Sequence, residues 1–512
     1  MISYHLNSDM APLYLGSTSS MLLLGISLVA VYIAGVSFYR IFLHPLRAYP
    51  GPVLWRITSI PRSYYLMTGE LAFIVAEFHA KYGTAVRIAP DELIYNDPQA
   101  WKDIYSHRTA GAAEFSKHER GYNLSSHIPT SIINSDREEH SLLRRQLSHG
   151  FSDKSMREQE PIIGAYVDLL IQRLYENSKG GTAPLNMREW YNWTTFDVIG
   201  DLGFGSSFDL LRESAYHPWI LLITSTIREN AIFQALNHLG LQPILGLLHS
   251  WGLMPKNDEH MALVRAKLKQ RMELGVERPD IIEGLIRKQN DLHIGFEKLS
   301  VNASLILLAG SETTATLLCG ATFLLLTNPD KLAKLTEEVR SAFNSDDEIT
   351  LTSVGKLTYM LAVLNESLRR YPPAAAELPR KAPKGGATVI GKFVPEDTAV
   401  AVWQWPINHN PNWWKDPMTF APERWLDDPR YKGDRLDAMQ PFSVGPRNCI
   451  GRNLAYAEMR LILARIVFNF DMRLADDSRR WFDGQRVYIV WEKPMLNVYM
   501  TPAAGREKAK AG

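Results

Sequence analysis

Two stretches of this 512-residue chain bring together residue types that can do chemistry. The first is Phe442-Ser443-Val444-Gly445-Pro446-Arg447-Asn448-Cys449-Ile450-Gly451, which holds one of the two cysteines. Gly445 and Pro446 break any strand, so the stretch reads as a turn-rich loop running into a helix that starts near Gly451. A cysteine at a helix N-terminus, among backbone N–H groups, is biased toward the thiolate, a soft and strong metal ligand. Gly451 lets a bulky flat ligand approach the backbone. Without its neighbours, Cys449 also reads as a small buried hydrophobe, as most free cysteines do.

The second stretch is Ala309-Gly310-Ser311-Glu312-Thr313-Thr314, in the middle of an apolar helical pattern over 297–327 that ends at Asn328-Pro329. Glu312 among apolar neighbours is costly unless paired or functional. Gly310 in a helix interior costs about 1 kcal/mol relative to Ala. Two unfavourable choices side by side predict that something fits against this helix. The alternative is a surface face carrying a single Glu. Weaker signals are Glu366-Ser367-Leu368-Arg369, whose i,i+3 pair is common on helices, and the 136–150 segment, which begins with an Asp N-cap and ends at Gly150. His140 and Arg144 share a face there, and charge alone reads that face as solvated.

Together these motifs resemble the cytochrome P450 superfamily. Phe-x-x-Gly-x-Arg-x-Cys-x-Gly is its haem-binding loop, and every position is present. The resemblance implies that Cys449 is the axial ligand of the iron of haem b, pushing electron density toward O–O cleavage. It also implies that Phe442 shields the sulfur, that Arg447 pairs with a haem propionate, and that Gly445 and Gly451 belong to the cofactor site. Ala/Gly-Gly-x-Asp/Glu-Thr resembles the family's oxygen helix, which passes over the haem and bends to admit dioxygen. Thr313 and Glu312 would relay protons there, Glu312 bringing them from outside. The family often has Trp-x-x-x-Arg where this chain has His140-x-x-x-Arg144, implying propionate contacts from both, with Arg144 the better match. Leu378–Ala382 looks like a strand edge lining the pocket, and Arg380 resembles a second propionate partner. Glu366, Arg369 and Arg424, the last in Phe420-Ala421-Pro422-Glu423-Arg424-Trp425, resemble a buried structural triad that fixes the haem loop.

These elements need a body and an address. The length prior of about 150 residues per domain suggests three domains, but no linker divides the body, so one large domain is expected. A net charge of +1 provides no general attraction to nucleic acid, and two cysteines provide no disulfide framework. Met21–Tyr39 carries no charge, and about 20 such residues span a bilayer. Arg40, Arg47 and Arg56 follow it, so the positive-inside rule leaves the body in the cytosol. A cleaved signal peptide would want a basic start and a shorter apolar core. The expected division is a lumenal 1–20, an anchor 21–39, a basic, proline-rich hinge 40–52, a catalytic domain 53–504 and a frayed tail 505–512. That is a single-pass protein of the endoplasmic reticulum membrane, in which Asn123, Asn192, Asn302 and Asn365 stay unglycosylated.

Periodicity predicts an amphipathic helix over 70–83, strands at Ala85–Ala89 and Glu92–Asn96, and a long irregular loop over 106–133. It predicts helices over 160–177 and within 187–211, the second ended by Phe204-Gly205, short strands within 388–402, and a final hairpin of Val487–Val490 with Leu496–Tyr499. The apolar 229–253 stretch reads either as a buried helix pair or as a lid that dips into the membrane surface. The expected fold class is mainly α with small β-sheets (α+β), the cytochrome P450 fold with one N-terminal transmembrane helix. The resemblance implies a monooxygenase that activates O2 and hydroxylates, epoxidises or desaturates a lipophilic small molecule. Arg40–Leu46 and Trp190–Leu211 resemble fungal members that tailor terpenoids and polyketides. Electrons would come from an NADPH-cytochrome P450 reductase, with cytochrome b5 as a further candidate donor, docking on Arg144, Arg145 and Arg452. The rival classes are an isomerase, dehydratase or peroxygenase on the same fold needing no reductase, and a non-catalytic membrane protein with a structural cysteine.

Overall fold

Long helices carry the core of the computed structural model. It describes residues 11–505 apart from 109–112, 123–128, 216–217, 242, 245–246, 248–250, 252–254, 276–277, 279, 291–293, 377 and 489. The helices that matter for the site are α1 (Ala11–Phe38), α2 (Leu71–Tyr82), α3 (Arg137–Ser148), α4 (Asp153–Ser178), α5 (Met187–Phe204), α6 (Pro218–His238), α7 (Phe296–Leu326), α8 (Thr358–Arg370) and α9 (Arg452–Asn469). At the centre, α7 packs on α5, α8 and α9, and α4 closes the group against α5 and α9. Gly295, extended, starts α7, and the helix stops before Pro329, which opens the next one. From Ser311 to Leu325 every residue of α7 is buried except Thr313.

α3 begins where expected, with the Asp136 carboxylate accepting the Glu139 N–H at 2.9 Å. α4 starts seven residues before the expected 160 and tolerates Pro161 within it. The helix from Met187 stops at Phe204, as Phe204-Gly205 predicts, with Gly205 left-handed at φ 74°, and does not reach 211. Asp197 explains the separate turn that follows. Its carboxylate accepts the N–H groups of Phe208, Leu210 and Leu211 at 2.9–3.2 Å.

The main sheet runs in the order β1 (Ala85–Ala89), β2 (Glu92–Tyr95), β8 (Ala399–Val402), β5 (Arg380–Lys381), β3 (Ser116–Lys117). Arg380 is therefore not on a sheet edge. The edge is β3, inside the stretch expected to be irregular, and it pairs Lys117 with Arg380. β6 (Ala387–Val389) and β7 (Lys392–Val394) form a separate hairpin. The expected C-terminal hairpin is wrong. β10 (Arg486–Val487) pairs with β11 (Trp491–Glu492), whereas β12 (Asn497–Pro502) lies between β4 (Pro184–Asn186) and β9 (Phe470–Leu474). Local alternation found the strands, but long-range pairing chose their partners.

The apolar N-terminal span covers Ser19–Leu43, none of it buried, and α1 passes into a π-helical turn at Tyr39–Leu43. α7 is also long and apolar, but 72% of its apolar window is buried, so it is a core helix. After α6, Ile244, Leu247 and Trp251 are exposed, against the buried-pair reading of 229–253; several residues of that stretch, and those of the tail beyond 505, lie outside the described ones. Asn192 and Asn302 are buried, Asn365 receives a hydrogen bond from the Tyr456 hydroxyl at 2.8 Å, and Asn123 lies outside the described residues.

The tightest polar cluster sits under α8. Glu366 accepts Arg369 at 2.7 and 2.9 Å, Arg424 Nε at 3.3 Å, Ala421 N–H at 3.0 Å and Trp425 Nε1 at 3.1 Å. Arg369 spends its other donors on the carbonyls of Asn408, Pro417 and Thr419. Arg424 also pairs with Asp434, a fourth member that no motif announced. Two guanidinium groups thus face two carboxylates, all four essentially without solvent contact. Removing one partner leaves a buried charge uncompensated, at a cost of about 3–5 kcal/mol. Arg424→Ala is expected to lower the melting temperature and the yield of soluble protein sharply. Arg430→Ala, on an exposed pair with Asp428, should leave both unchanged; equal effects would count against the cluster's role.

Candidate functional site

The cysteine loop is built from local bonds. Cys449 N–H donates to the Phe442 carbonyl at 2.8 Å and Asn448 N–H to the Gly445 carbonyl at 3.2 Å. Gly445 is left-handed at φ 77°, and a Cβ there would fall 2.0 Å from the Tyr105 carbonyl oxygen. Glycine is required for both reasons. The Phe442 ring lies 5.3 Å from that of Tyr456 on α9. At Gly451 a Cβ would make ordinary contacts with Phe151 and the Cys449 sulfur, at 3.6 and 3.9 Å, so neither backbone nor protein neighbours demand glycine. Arg144 reaches across from α3 and donates to the Asn448 carbonyl at 2.7 Å and to Asn448 Oδ1 at 2.6 Å. It grips the cysteine loop itself.

Cys449 keeps an exposed surface, whereas Cys319 is buried in α7 with its thiol pushed up to about 12. Desolvation by the surrounding protein raises the Cys449 thiol; the Gly451 N–H, Arg144 and Arg452 pull the other way without cancelling it. The expected thiolate bias therefore does not come from the protein alone. A bound metal ion would supply it. Among the described residues no three His, Cys, Asp or Glu side chains converge on one point. A metal at Cys449 must bring most of its own ligands.

Beside the loop lies a cleft of about 230 Å³, lined by His140, Arg380, Arg447, Arg108, Arg137 and Glu114 among others. Arg447 donates to the Ser135 carbonyl at 2.9 Å and to Glu114 at 3.3 Å. Arg380 is buried over the Tyr105 ring, and its Nε has no partner. Lys117 holds its ammonium 3.9 Å from the Tyr122 ring centre; burial, with Arg380 and Arg447 close by, pushes its pKa well down. His140 is lowered to about 4 by burial and by Arg447, Arg144, Lys117 and Arg380. The guanidinium groups of Arg108, Arg137, Arg380 and Arg447 against the one carboxylate of Glu114 form a site for an anion. One open sulfur and a cationic cleft fit an iron macrocycle that carries carboxylates. Lys117 escaped the sequence reading because a two-residue strand in a Ser- and His-rich stretch has no periodicity to detect.

On α7, Ala309 is exposed between half-buried Leu308 and Gly310, and half-exposed Thr313 lies one turn on. The Thr313 hydroxyl donates to the Ala309 carbonyl at 2.7 Å. What fits against Gly310 is protein. A Cβ there would lie 2.7 Å from Ile199 Cδ1 of α5, so this glycine lets two core helices touch. The helix runs unbroken through this point. Glu312 is not on a surface. It is 3% exposed and paired at 3.0 Å with Lys493, itself 4% exposed. The expected supply of protons from outside therefore meets an enclosed, paired carboxylate.

One buried acid went unnoticed in the sequence. Glu458 on α9 lies against Thr314, and burial raises its pKa to about 8, the Thr314 hydroxyl offsetting this in part. The unfolded chain releases this proton above about 4.5, and the folded chain keeps it to about 8, so stability falls as pH rises between those values. Glu458→Gln, which imitates the protonated acid, is expected to flatten that fall and raise the melting temperature at pH 7.5 by several degrees; an unchanged pH profile would refute it. Gly310→Val should disturb the α5–α7 contact and cost about 1–3 kcal/mol by overpacking. Combining it with Ile199→Ala should recover part of the loss in a melting experiment.

Comparison with known proteins agrees with this geometry. The family model described as Cytochrome P450 matches residues 47–497. Cytochrome P450 monooxygenase tpeC of Talaromyces stipitatus is 47% identical over 483 residues, 94% of each chain. Trichothecene C-15 hydroxylase of Fusarium sporotrichioides is 45% identical over 92% of this chain and 96% of its own. Averantin hydroxylase of Dothistroma septosporum is 42% identical over 95% and 94%. With the family match running from residue 47 to the last strand, and fungal monooxygenases aligned along nearly all of it, this chain belongs to the cytochrome P450 family and is an oxidoreductase of its monooxygenase type.

Proposed function

We propose that this protein hydroxylates a lipophilic terpenoid or polyketide of fungal secondary metabolism, drawing electrons from an NADPH-cytochrome P450 reductase, with cytochrome b5 as an auxiliary donor. The observation that carries the reading is the pairing of Cys449, on a loop held by Arg144, with the cleft that His140 lines together with the guanidinium groups of Arg108, Arg137, Arg380 and Arg447. Cys449 would hold the iron and the cleft the propionates. When bound, the haem supplies the redox chemistry of oxygen activation and transfer. Hydroxylation is favoured over epoxidation or desaturation by the names of two relatives, one a trichothecene and one an averantin hydroxylase.

The chain's own residues set the proton geometry. The Thr313 hydroxyl proton is committed to the Ala309 carbonyl, so Thr313 Oγ1 presents lone pairs and accepts hydrogen bonds. Glu312 Oε1 is buried with no partner among the described residues and is the next acceptor along the helix. Arg144 is occupied by Asn448, which leaves exposed Arg145 and Arg452 for the electron donor. Exposed Val53, Leu54, Ile60 and Tyr64 lie next to the anchor, and Ser63 ties their segment to α6 through the Ala235 carbonyl at 3.0 Å. With exposed Ile244, Leu247 and Trp251 beyond α6, they form an apolar side suited to rest in the membrane surface. Anchor 21–39, hinge 40–52 and catalytic domain 53–504 would then stand in a single-pass arrangement in the endoplasmic reticulum, the domain facing the cytosol, as Arg40, Arg47 and Arg56 favour.

The purified, reduced protein exposed to carbon monoxide is expected to show a strongly red-shifted Soret band that Cys449→Ser lacks. Co-expression with a reductase in a host fed terpenoids and polyketides should yield products heavier by one oxygen atom. Product formation without NADPH and reductase would overturn the electron-supply reading, and Arg145→Glu should weaken reductase-driven turnover most at low salt.

A further inference from the structure

Lys493 lies 181 residues from Glu312 in sequence, yet its ammonium sits against α7. It donates to Glu312 Oε2 at 3.0 Å and to Thr316 Oγ1 at 2.7 Å, bridging two residues one helical turn apart. Its backbone is pinned. The Lys493 carbonyl accepts Arg188 Nη1 at 2.7 Å, and the next carbonyl, of Pro494, accepts Trp481 Nε1 at 3.1 Å. Leu496 N–H donates to Asn186 Oδ1 at 3.0 Å, and the Leu496 carbonyl accepts Met187 N–H at 2.8 Å. A long, flexible side chain thus hangs from a fixed segment at the start of α5, and both ends of its ion pair are buried. The carboxylate is held by one oxygen only: Glu312 Oε1 is buried and has no partner among the described residues, one residue from Thr313.

We propose that Lys493 is a positioning residue for the monooxygenase reaction, orienting Glu312 so that Oε1 takes up a proton and releases it on the Thr313 side of α7. The inference rests on the function proposed above. Only O–H bonds form and break in this step, and the carboxylate ends as it began. An ion pair that merely tied the C-terminal segment to α7 would leave the fate of an O–O bond untouched. Lys493 with a role in proton placement would not.

Cumene hydroperoxide separates these, because it needs neither NADPH nor reductase. Cleavage assisted by a proton shift gives cumyl alcohol and transfers one oxygen atom to added thioanisole, forming methyl phenyl sulfoxide. Unassisted homolysis gives acetophenone and a methyl radical. Lys493→Met is expected to keep the red-shifted carbon monoxide band, to melt lower than the wild-type holoprotein, and to lower the sulfoxide-to-acetophenone ratio at least five-fold. Lys493→Arg should restore the ratio to within two-fold. Glu312→Gln should match Lys493→Met, and the double variant should fall no further, since both changes remove one device. A wild-type ratio in Lys493→Met, no rescue by arginine, or multiplying losses in the double variant would overturn the proposal. If Lys493→Met fails to retain haem, Thr316→Val, which leaves the ion pair but removes one anchor of the ammonium, should still halve the ratio; an unchanged ratio there would overturn it. Failure of NADPH-driven turnover would sink only the electron-supply reading, whereas a wild type without the carbon monoxide band would sink both.

Discussion

A carboxylate with no access to water organises the half of the molecule that carries the cysteine. Glu366 can remain charged in the core only because Arg369 and Arg424 meet it there, and Arg424 is in turn neutralised by Asp434. The donors left over on the two guanidinium groups bind the carbonyls of Asn408, Asp416, Pro417 and Thr419. Those carbonyls lie at the end of the short Gln404–Asn408 helix and in the turns of 416–419, in chain leading toward the cysteine loop, which has little secondary structure of its own. The strength of charge-assisted bonds in a low-dielectric interior makes irregular backbone as well placed as a helix. That is why a loop rather than a helix face can present Cys449.

A second electrostatic pattern runs opposite to the first. Under α8, charges balance and every strong donor is used. At the cleft beside the cysteine loop they do not: Arg108, Arg137, Arg380 and Arg447 share it with the single carboxylate of Glu114. Compensated buried charge marks structure, and uncompensated buried charge marks a place for a ligand. Arg144 belongs to the first kind, since both its terminal nitrogens are spent on Asn448.

Much of the fold was legible because its signals are local. The span before Arg40, the Asp136 cap, the Pro329 stop of α7 and the strands at Ala85–Ala89 and Glu92–Tyr95 each depend on residues within a turn or two. Errors arose where distant segments decide. β12 alternates in the manner of a hairpin strand but pairs with β9 and β4. Arg380 reads as an edge residue until Lys117 is seen pairing beyond it. Gly310 reads in the sequence only as a place where something fits against the helix, and the structure puts Ile199 there.

The sequence by itself determined the family chemistry: one cysteine in a complete ten-residue pattern, an acid–alcohol pair on an apolar helix, and an uncharged span followed by arginines. These depend on residue identity and short spacing, which survive without coordinates. Only the tertiary structure decided which charges meet. Asp434, Lys117 and Lys493 became partners of Arg424, Arg380 and Glu312 through contacts across the fold. Coulombic and hydrogen-bond energies depend on distance and burial, and a linear chain specifies neither until it has folded.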